Sequence, residues 1–237
     1  MINVASEVYI EKGTTVTKAN NINDWGGGFS VNGGTLTMND GTISECNSND
    51  KGGAAIFIFG DHQEGDNVEN NKEGTFILNG GSIIKNVGRH IIWSAGNIQI
   101  NGGIISENQA KVKGKSIVYI CGNGIITNGE IKNNIVNVEN TEIGGVVMCT
   151  SYINIKGNLT VKGGNINDNQ ITNGSALIVA NYSNIIFDGG NIMNNVSNNN
   201  NSGGVATLYK SIYTYKSGVV CGNIPANQYE TSSTCPS

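Results

Sequence analysis

The chain has few positive charges, and it lacks the arginines that nucleic-acid-binding proteins use. It carries 14 Lys and Arg residues against 18 Asp and Glu residues, which gives a net charge of −4, and Arg89 is its single arginine. Proteins that bind nucleic acids neutralise phosphates with a stripe of Lys and Arg side chains. We therefore expect no nucleic-acid partner.

Long apolar segments are also missing from the sequence. No apolar run approaches the ~20 residues of a transmembrane helix, so we expect no membrane insertion. Residues 1–17 do not contain the apolar stretch of a signal peptide. Either a signal has been removed or the chain is a piece of a longer protein.

Cysteines are few, and their spacing does not indicate a metal site. The chain has five, an odd number, and none has the CxxC or Cys/His spacing of a zinc site, so we expect no cofactor. Cys46 and Cys149 are predicted to be buried thiols. Cys221 and Cys235 are close enough either to form a bridge that ties down the C-terminal tail or to stay reduced.

Proline is scarce and glycine abundant, with 2 prolines against 34 glycines, and no linker-like break divides the chain. One elongated domain over residues 1–237 therefore fits better than two globular units. We place an N-terminal cap or first coil at 1–25, repeated coils at 26–223 and a tail at 224–237.

A short motif recurs along the chain. It has apolar residues two apart, a glycine turn, an Ile, and an Asn three residues later, as in NIIFDGGNIMNN at 184–195. Other copies lie at 35–46, 75–86, 97–108, 158–169 and 212–223, with a copy one residue shorter in the turn at 124–134 and a weak copy at 7–16. Intervals of this order are typical of the coils of a solenoid.

A second block, led by glycine, precedes most copies. It occurs at 26–31, 52–57, 88–93, 114–119, 144–149, 174–179 and 203–208. Each coil then offers three short strands, which predicts an all-β, right-handed parallel β-helix of about seven or eight coils. A helix bundle would need apolar residues at i, i+3 and i+4, and that spacing is absent.

The two-residue period of a strand assigns side chains to the inside of this solenoid. In the glycine-led block we expect the fourth and sixth residues to point inward, and in the recurring motif the apolar pair and the Ile after the turn. The predicted inward residues of the first strand are Phe29, Val31, Ala55, Phe57, Ile91, Trp93, Ile117, Tyr119, Val147, Cys149, Leu177, Val179, Ala206 and Leu208.

Asparagine recurs at one corner of the coil. The residue three after each third-strand apolar residue is Cys46, Asn86, Asn108, Asn134, Asn169, Asn195 or Asn223. Stacked amides can hydrogen-bond from coil to coil and satisfy the bent backbone, so we predict an asparagine ladder. The glycine pairs at 80–81, 102–103, 163–164 and 189–190 are expected to permit positive φ at the opposite corner.

The outward side of the first strand is predicted to be apolar as well. Its central column is expected to include Ile56, Ile92, Val118, Met148 and Ile178, a candidate interaction stripe. Three interpretations remain open. The stripe is covered by loop 60–74, loop 135–143 or the tail, or it binds a partner or a second copy of the chain, or the face is misassigned.

Two further groups are weak ligand candidates. Asp61, His62, Glu64 and Asp66 lie in the insertion at 60–74, which is either a weak calcium loop or, as we favour, a solvated acidic loop. Arg89 and His90, beside Trp93, could bind a sugar or a carboxylate, or they form an ordinary surface pair.

The blocks GGAA at 52–55 and GGVV at 144–147, with the I-x-x-N endings, resemble the repeats of polymorphic outer-membrane-protein-type adhesins. Those repeats are recognised by GGA-apolar and F-x-x-N tetrapeptides, and here Ile replaces the Phe. The repeats are also similar to those of bacterial and protist surface proteins in the pectin-lyase-like superfold. The likeness spans about 26–223 and implies surface display and adhesion.

We therefore expect a non-enzymatic, surface or secreted module that binds a protein or glycan along a strand face, with homo-oligomerisation through the apolar outer face as an option. The alternative is a polysaccharide lyase or glycoside hydrolase, which would need carboxylates, or a carboxylate and a base, converging within about 10 Å. A structural stalk is the third option.

Overall fold

A computed structural model describes residues 1–21, 26–48, 52–61, 72–111, 115–138, 143–152, 155–198, 203–226, 228–232 and 235. The regular secondary structure of these ranges consists of strands, and the strands pair in parallel within three sheets. The predicted parallel β-helix is therefore confirmed. Within the described part of the chain, no helix has the length and apolar character needed to cross a membrane.

Sheet A contains one strand from each of eight successive coils. Its strands are Ile2–Val4, Phe29–Val31, Ile56–Ile58, His90–Ser94, Ser116–Ile120, Gly144–Cys149, Gly174–Val179 and Val205–Thr207. This sheet corresponds to the predicted first strand of each coil.

Sheet B bends at the glycine corner, so it has two arms. The first arm contains Glu7–Ile10, Thr35–Met38, Thr75–Leu78, Asn97–Ile100, Asn123–Ile126 and Asn158–Val161. The second arm contains Thr15–Thr17, Thr42–Ser44, Ser82–Ile84, Ile104–Ser106, Glu130–Lys132 and Asn165–Asn167. The long strands Asn184–Met193 and Ile212–Cys221 run through both arms. The arms are the predicted second and third strands.

Sheet C consists of two-residue strands that follow the asparagine corner. They are Asn20–Asn21, Asn47–Ser48, Val87–Gly88, Gln109–Ala110, Ile135–Val136, Gln170–Ile171 and Val196–Ser197. The sequence pattern did not indicate this sheet, because two residues are too few for a two-residue period to be visible.

Aliphatic columns fill the interior of sheet B as predicted. Ile43, Ile83, Ile105, Ile131, Ile166, Ile192 and Val220 pair in sequence from coil to coil and are buried. The register also corrects the motif at 124–134. Asn123 pairs with Asn97 and Glu130 with Ile104, so this turn has the same length as the others.

The predicted faces of sheet A are wrong at several coils. The register pairs Phe29 with Ile56, not with Ala55, and a slip of one residue exchanges the two faces of a strand. Ile56, Ile92 and Val118 therefore lie inside, whereas Phe57, Trp93 and Tyr119 lie outside with Met148 and Ile178. At the last coil the inward residues are Val205 and Thr207, which pair with Leu177 and Val179, and not Ala206 and Leu208.

The strands bend at the start of sheet A, so inward and outward side chains do not alternate there as predicted. The paired residues pass from His90 and Ser116 directly to Ile92 and Val118. Ile91 and Ile92 both belong to the main core, so two consecutive side chains point inward. Because the strand is apolar on both sides, its hydrophobic pattern does not fix which residue begins the alternation.

The asparagine ladder is confirmed in atomic detail. Asn134 is typical: its Oδ1 accepts from the backbone N of Asn108 at 3.0 Å and from Asn108 Nδ2 at 3.0 Å. Its Nδ2 donates to Ile105 O at 2.9 Å and to Asn169 Oδ1 at 2.9 Å. Cys46 occupies the first position, where its backbone N donates to Asn86 Oδ1 at 2.9 Å.

The ladder stabilises a left-handed backbone corner. The residue before each ladder residue has positive φ, for example 57° at Lys85, 56° at Glu107 and 55° at Asp168. A left-handed conformation costs a non-glycine residue roughly 1–2 kcal/mol. The ladder hydrogen bonds offset that cost at each coil.

The two glycines act differently in the pairs at 80–81, 102–103 and 163–164, which corrects the prediction there, whereas both glycines at 189–190 have positive φ. The second glycine has positive φ, as at Gly81 with 77° and Gly103 with 75°. The first does not at Gly80 or Gly102, where a Cβ would instead lie 2.4 Å or 2.3 Å from the carbonyl oxygen of Asn39 or Asn79 on the preceding coil. That glycine is required because the coils approach closely.

The tail covers the last coil. Cys221 and Cys235 form a disulfide, which decides between the two alternatives left open by the sequence. Thr231 donates its backbone N–H to Val220 O at 2.8 Å. Glu230 Oε1 accepts from Asn223 Nδ2 at 3.0 Å and so ends the ladder.

The remaining cysteines are buried thiols. Cys46 and Cys149 are fully buried, as predicted, and Cys121 is buried too. Burial raises the pKa of all three, that of Cys149 to about 12, so the thiols stay protonated and unreactive near neutral pH.

Candidate functional site

The outward column of sheet A is aromatic and apolar, but it is buried. Phe57 and Trp93 stack with ring centroids 4.2 Å apart, and Tyr119 continues the stack 6.3 Å beyond Trp93. Phe57 is 3% exposed and Trp93 5%. Met148 and Ile178, two residues of the predicted stripe that do point outward, are also buried.

The chain itself supplies cover for this column. Tyr152 and Ile155 pair through reciprocal backbone hydrogen bonds of 3.0 and 2.9 Å, and the Tyr152 ring meets the Trp93 ring edge-on, with the centroids 5.6 Å apart. Ile143, at the end of the 135–143 loop, packs on the Met148 and Ile178 cluster. Tyr152, Ile155 and Ile143 therefore cover part of the column.

His90 is a buried side chain rather than an accessible ligand group. Its Nδ1 lies 2.9 Å from Ser116 Oγ, and its ring packs on Tyr119 at 4.4 Å. Burial, with smaller contributions from the charges of Arg89 and Lys115, holds the pKa of His90 well below its usual range. Arg89 itself is half-buried. The structure does not present this pair as an open sugar site beside Trp93.

The buried histidine predicts an acid-sensitive fold. His90 stays neutral in the folded chain but takes up a proton near pH 6.5 when unfolded, so stability should fall as pH drops from about 6.5 towards the lowered folded pKa. One unmatched proton corresponds to a slope of up to about 1.4 kcal/mol per pH unit. Urea unfolding between pH 7.5 and 5 would show this slope, and His90→Gln should remove it. An unchanged slope in the variant would contradict the assignment.

Only the ends of the acidic insertion lie within the described residues. Asp61 Oδ1 accepts a hydrogen bond from the backbone N of Glu73 at 3.0 Å, so Asp61 closes the base of the loop. His62, Glu64 and Asp66 lie outside the described residues. Among the residues that are described, no three His, Cys, Asp or Glu side chains converge as a metal site would require.

A column of amides, exposed at Asn123 and Asn158 and half-buried at Asn97 and Asn184, runs along the first arm of sheet B. Asn97, Asn123, Asn158 and Asn184 pair in sequence, each at the start of its strand. Each Nδ2 donates to the Oδ1 of the preceding coil, with distances of 3.5, 3.5 and 3.3 Å from Asn123, Asn158 and Asn184. We call these four residues the outer amide column.

A shallow groove of about 370 Å³ lies beside this column. Asn123, Asn158 and Asn184 form one wall of the groove, and Ile125, Thr160 and Ile186, two residues further along the same strands, form the other. Because both walls are columns that cross the strands, the groove runs from coil to coil. It offers amide hydrogen bonds on one side and mainly apolar contact on the other.

Sequence reasoning missed the outer amide column, although its signal was present. The motif copies at 97–108, 158–169 and 184–195 each begin with Asn, and Asn123 immediately precedes the copy at 124–134. No protein-family model matches the chain, and no curated protein or solved structure is significantly similar to it.

Proposed function

We propose that this chain is a non-enzymatic β-helix module of a surface or secreted protein that binds a glycan along the groove beside the outer amide column. The observation that carries the proposal is the amide column itself, which is regular, is exposed at Asn123 and Asn158, and is bordered by a groove. The likeness of its repeats to those of adhesin-type, pectin-lyase-like surface proteins supports surface display.

The outer amides have unused hydrogen-bonding capacity. An Asn side chain can make four hydrogen bonds, and the bonds within this column are long, at 3.3 to 3.5 Å. The buried ladder is different, since its amide-to-amide bonds measure 2.9 to 3.0 Å. Hydroxyl groups of a sugar can therefore bond to the outer amides without breaking the fold.

The geometry suits an extended chain. Amides repeat at the strand spacing of about 4.8 Å, so the column from Asn97 to Asn184 is about 14 Å long and straight. A β-1,4-linked pyranose chain is extended and presents hydroxyls along its edges and apolar C–H groups on its faces. The hydroxyls match the wall of amides, and the C–H groups match the wall formed by Ile125, Thr160 and Ile186.

Binding of a β-1,4-linked glucose hexamer by calorimetry tests the proposal. The double variant Asn123→Ala, Asn158→Ala should bind about 5- to 160-fold more weakly, since each of the two lost hydrogen bonds is worth about 0.5–1.5 kcal/mol. The matched control is Asn79→Ala, Asn101→Ala, which removes exposed amides that bond to each other at 3.0 Å outside the groove.

Unchanged affinity in the control and loss in the first double variant would support the groove. Equal loss in both, or no binding by the parent chain, would contradict it. Chromatography of the incubated hexamer completes the test, because shortened products would show that the chain is an enzyme.

A further inference from the structure

Two exposed tyrosines lie at the C-terminal end of the outer amide column. Tyr182 is 48% exposed and Tyr209 63% exposed. They occupy equivalent turns between sheets A and B on adjacent coils, and the backbone N of Tyr182 donates to Tyr209 O at 3.2 Å. Asn184, the last residue of the outer amide column, follows Tyr182 by two residues.

The two rings and a lysine form a fixed group. The ring centroids are 5.3 Å apart with planes at 87°, and the hydroxyl of Tyr182 donates to that of Tyr209 at 3.4 Å. Lys210 Nζ lies 5.5 Å from the centre of the Tyr182 ring and 5.9 Å from that of Tyr209. We call Tyr182, Tyr209 and Lys210 the tyrosine platform.

The backbone beneath the platform is strained. φ is 52° at Asn181, 62° at Tyr182, 38° at Tyr209 and 51° at Lys210. Each left-handed non-glycine residue costs roughly 1–2 kcal/mol, and bulky residues adopt this conformation rarely. The exposed rings gain little burial in return. Strain that stability does not explain is concentrated at ligand sites in proteins.

Charge sets the class of ligand. Among the described residues, no ion pair within 4.0 Å joins Lys210 to a carboxylate; the pairs formed are those of Lys18, Lys85, Lys132 and Lys216. The platform therefore combines exposed tyrosine rings with a lysine that forms no ion pair with a carboxylate of the described residues.

We infer that the tyrosine platform is a subsite for a pyranose that carries an anionic group, a carboxylate or a sulfate. The apolar face of the sugar would pack on the exposed tyrosine rings, and the anion would pair with Lys210. This inference rests on the proposed function, because it names the ligand class of the face whose groove begins at Asn184.

Three hexamers with the same β-1,4 backbone test the inference: glucose, glucuronic acid, and glucose sulfated at O6. Calorimetry at constant ionic strength should show that the parent chain binds an anionic hexamer about tenfold more tightly than the neutral one, as expected for a charge-assisted hydrogen bond. The carboxylated and sulfated hexamers show which anion is preferred.

Lys210→Gln should abolish that preference, so that the variant binds the neutral and the anionic hexamers with the same affinity. Tyr182→Ala and Tyr209→Ala should weaken binding of all three hexamers. Tyr9→Ala is the matched control, since Tyr9 is 57% exposed at the opposite end of the rod, and it should change nothing.

The outcomes separate the two proposals. Equal binding of neutral and anionic hexamers by the parent chain, or a preference that survives in Lys210→Gln, overturns the platform but leaves the groove intact. Binding of none of the three overturns both.

Discussion

Asn134→Ala is expected to lower the free energy of unfolding by about 2–6 kcal/mol. The substitution removes the Oδ1 that accepts from the backbone N of Asn108 at 3.0 Å and the Nδ2 that donates to Ile105 O at 2.9 Å. Both partners are inside the solenoid, where water does not replace the lost bonds. Each buried group left unsatisfied costs about 1–3 kcal/mol. Urea unfolding, followed by circular dichroism, measures the change.

The matched control is Asn123→Ala on the outer amide column. Its side chain also bonds from coil to coil, but it is exposed and its bonds are 3.5 Å long. We expect a change within about 0.5 kcal/mol, as for an ordinary surface substitution. Similar losses for the two variants would mean that the buried ladder does not carry the stability assigned to it here.

Gly174→Ala is expected to be more damaging still. A Cβ at this position would lie 1.6 Å from the carbonyl oxygen of Gly144 on the preceding coil. In addition, φ is 143°, a value that residues other than glycine rarely adopt. The obstacle is backbone, so it cannot be relieved by rotating a side chain. The two coils of sheet A would have to separate. We expect a loss of more than about 4 kcal/mol, among the largest that single substitutions cause, or failure to fold.

Comparison with Gly13→Ala separates the steric part of that loss from the cost of the left-handed backbone. Gly13 has φ of 85° and nothing within 4 Å of a built Cβ. Its alanine variant should therefore show only the left-handed penalty of roughly 1–2 kcal/mol. Soluble yield, circular dichroism and the urea midpoint compare the two variants. A Gly174→Ala protein as stable as Gly13→Ala would contradict the close packing of these coils.

The sequence was sufficient to predict sheet B and its corners, because their spacing is rigid. From the second coil onward, the residues equivalent to Ile105 and Asn108 follow the glycine turn at a constant separation in sequence. The turn therefore fixes the register of both arms. Sheet A lacked such a marker. The glycine-led blocks enter the sheet at different residues, as the pairing of Phe29 with Ile56 shows, and both faces of the strand are apolar.

The same cause displaced the predicted interaction stripe. Ile56, Ile92 and Val118 were placed outside by a slip of one residue, and the outward column proved to be aromatic and covered by residues such as Tyr152. The tyrosine platform was not foreseen, because the connections between sheets A and B differ in length along the chain and the repeated motif does not include them. Only the pairing of strands shows that the turns of Tyr182 and Tyr209 are neighbours.

The central claim is that the outer amides, unlike the buried ladder, meet a ligand, and side-chain amide NMR tests it most directly. The glucuronic acid hexamer would be titrated into isotopically labelled protein. We predict shifts of the Nδ2 resonances of Asn123, Asn158 and Asn184, while those of Asn108, Asn134 and Asn169 stay in place. Shifts confined to the buried set, or no shifts at any of these amides, would contradict the account.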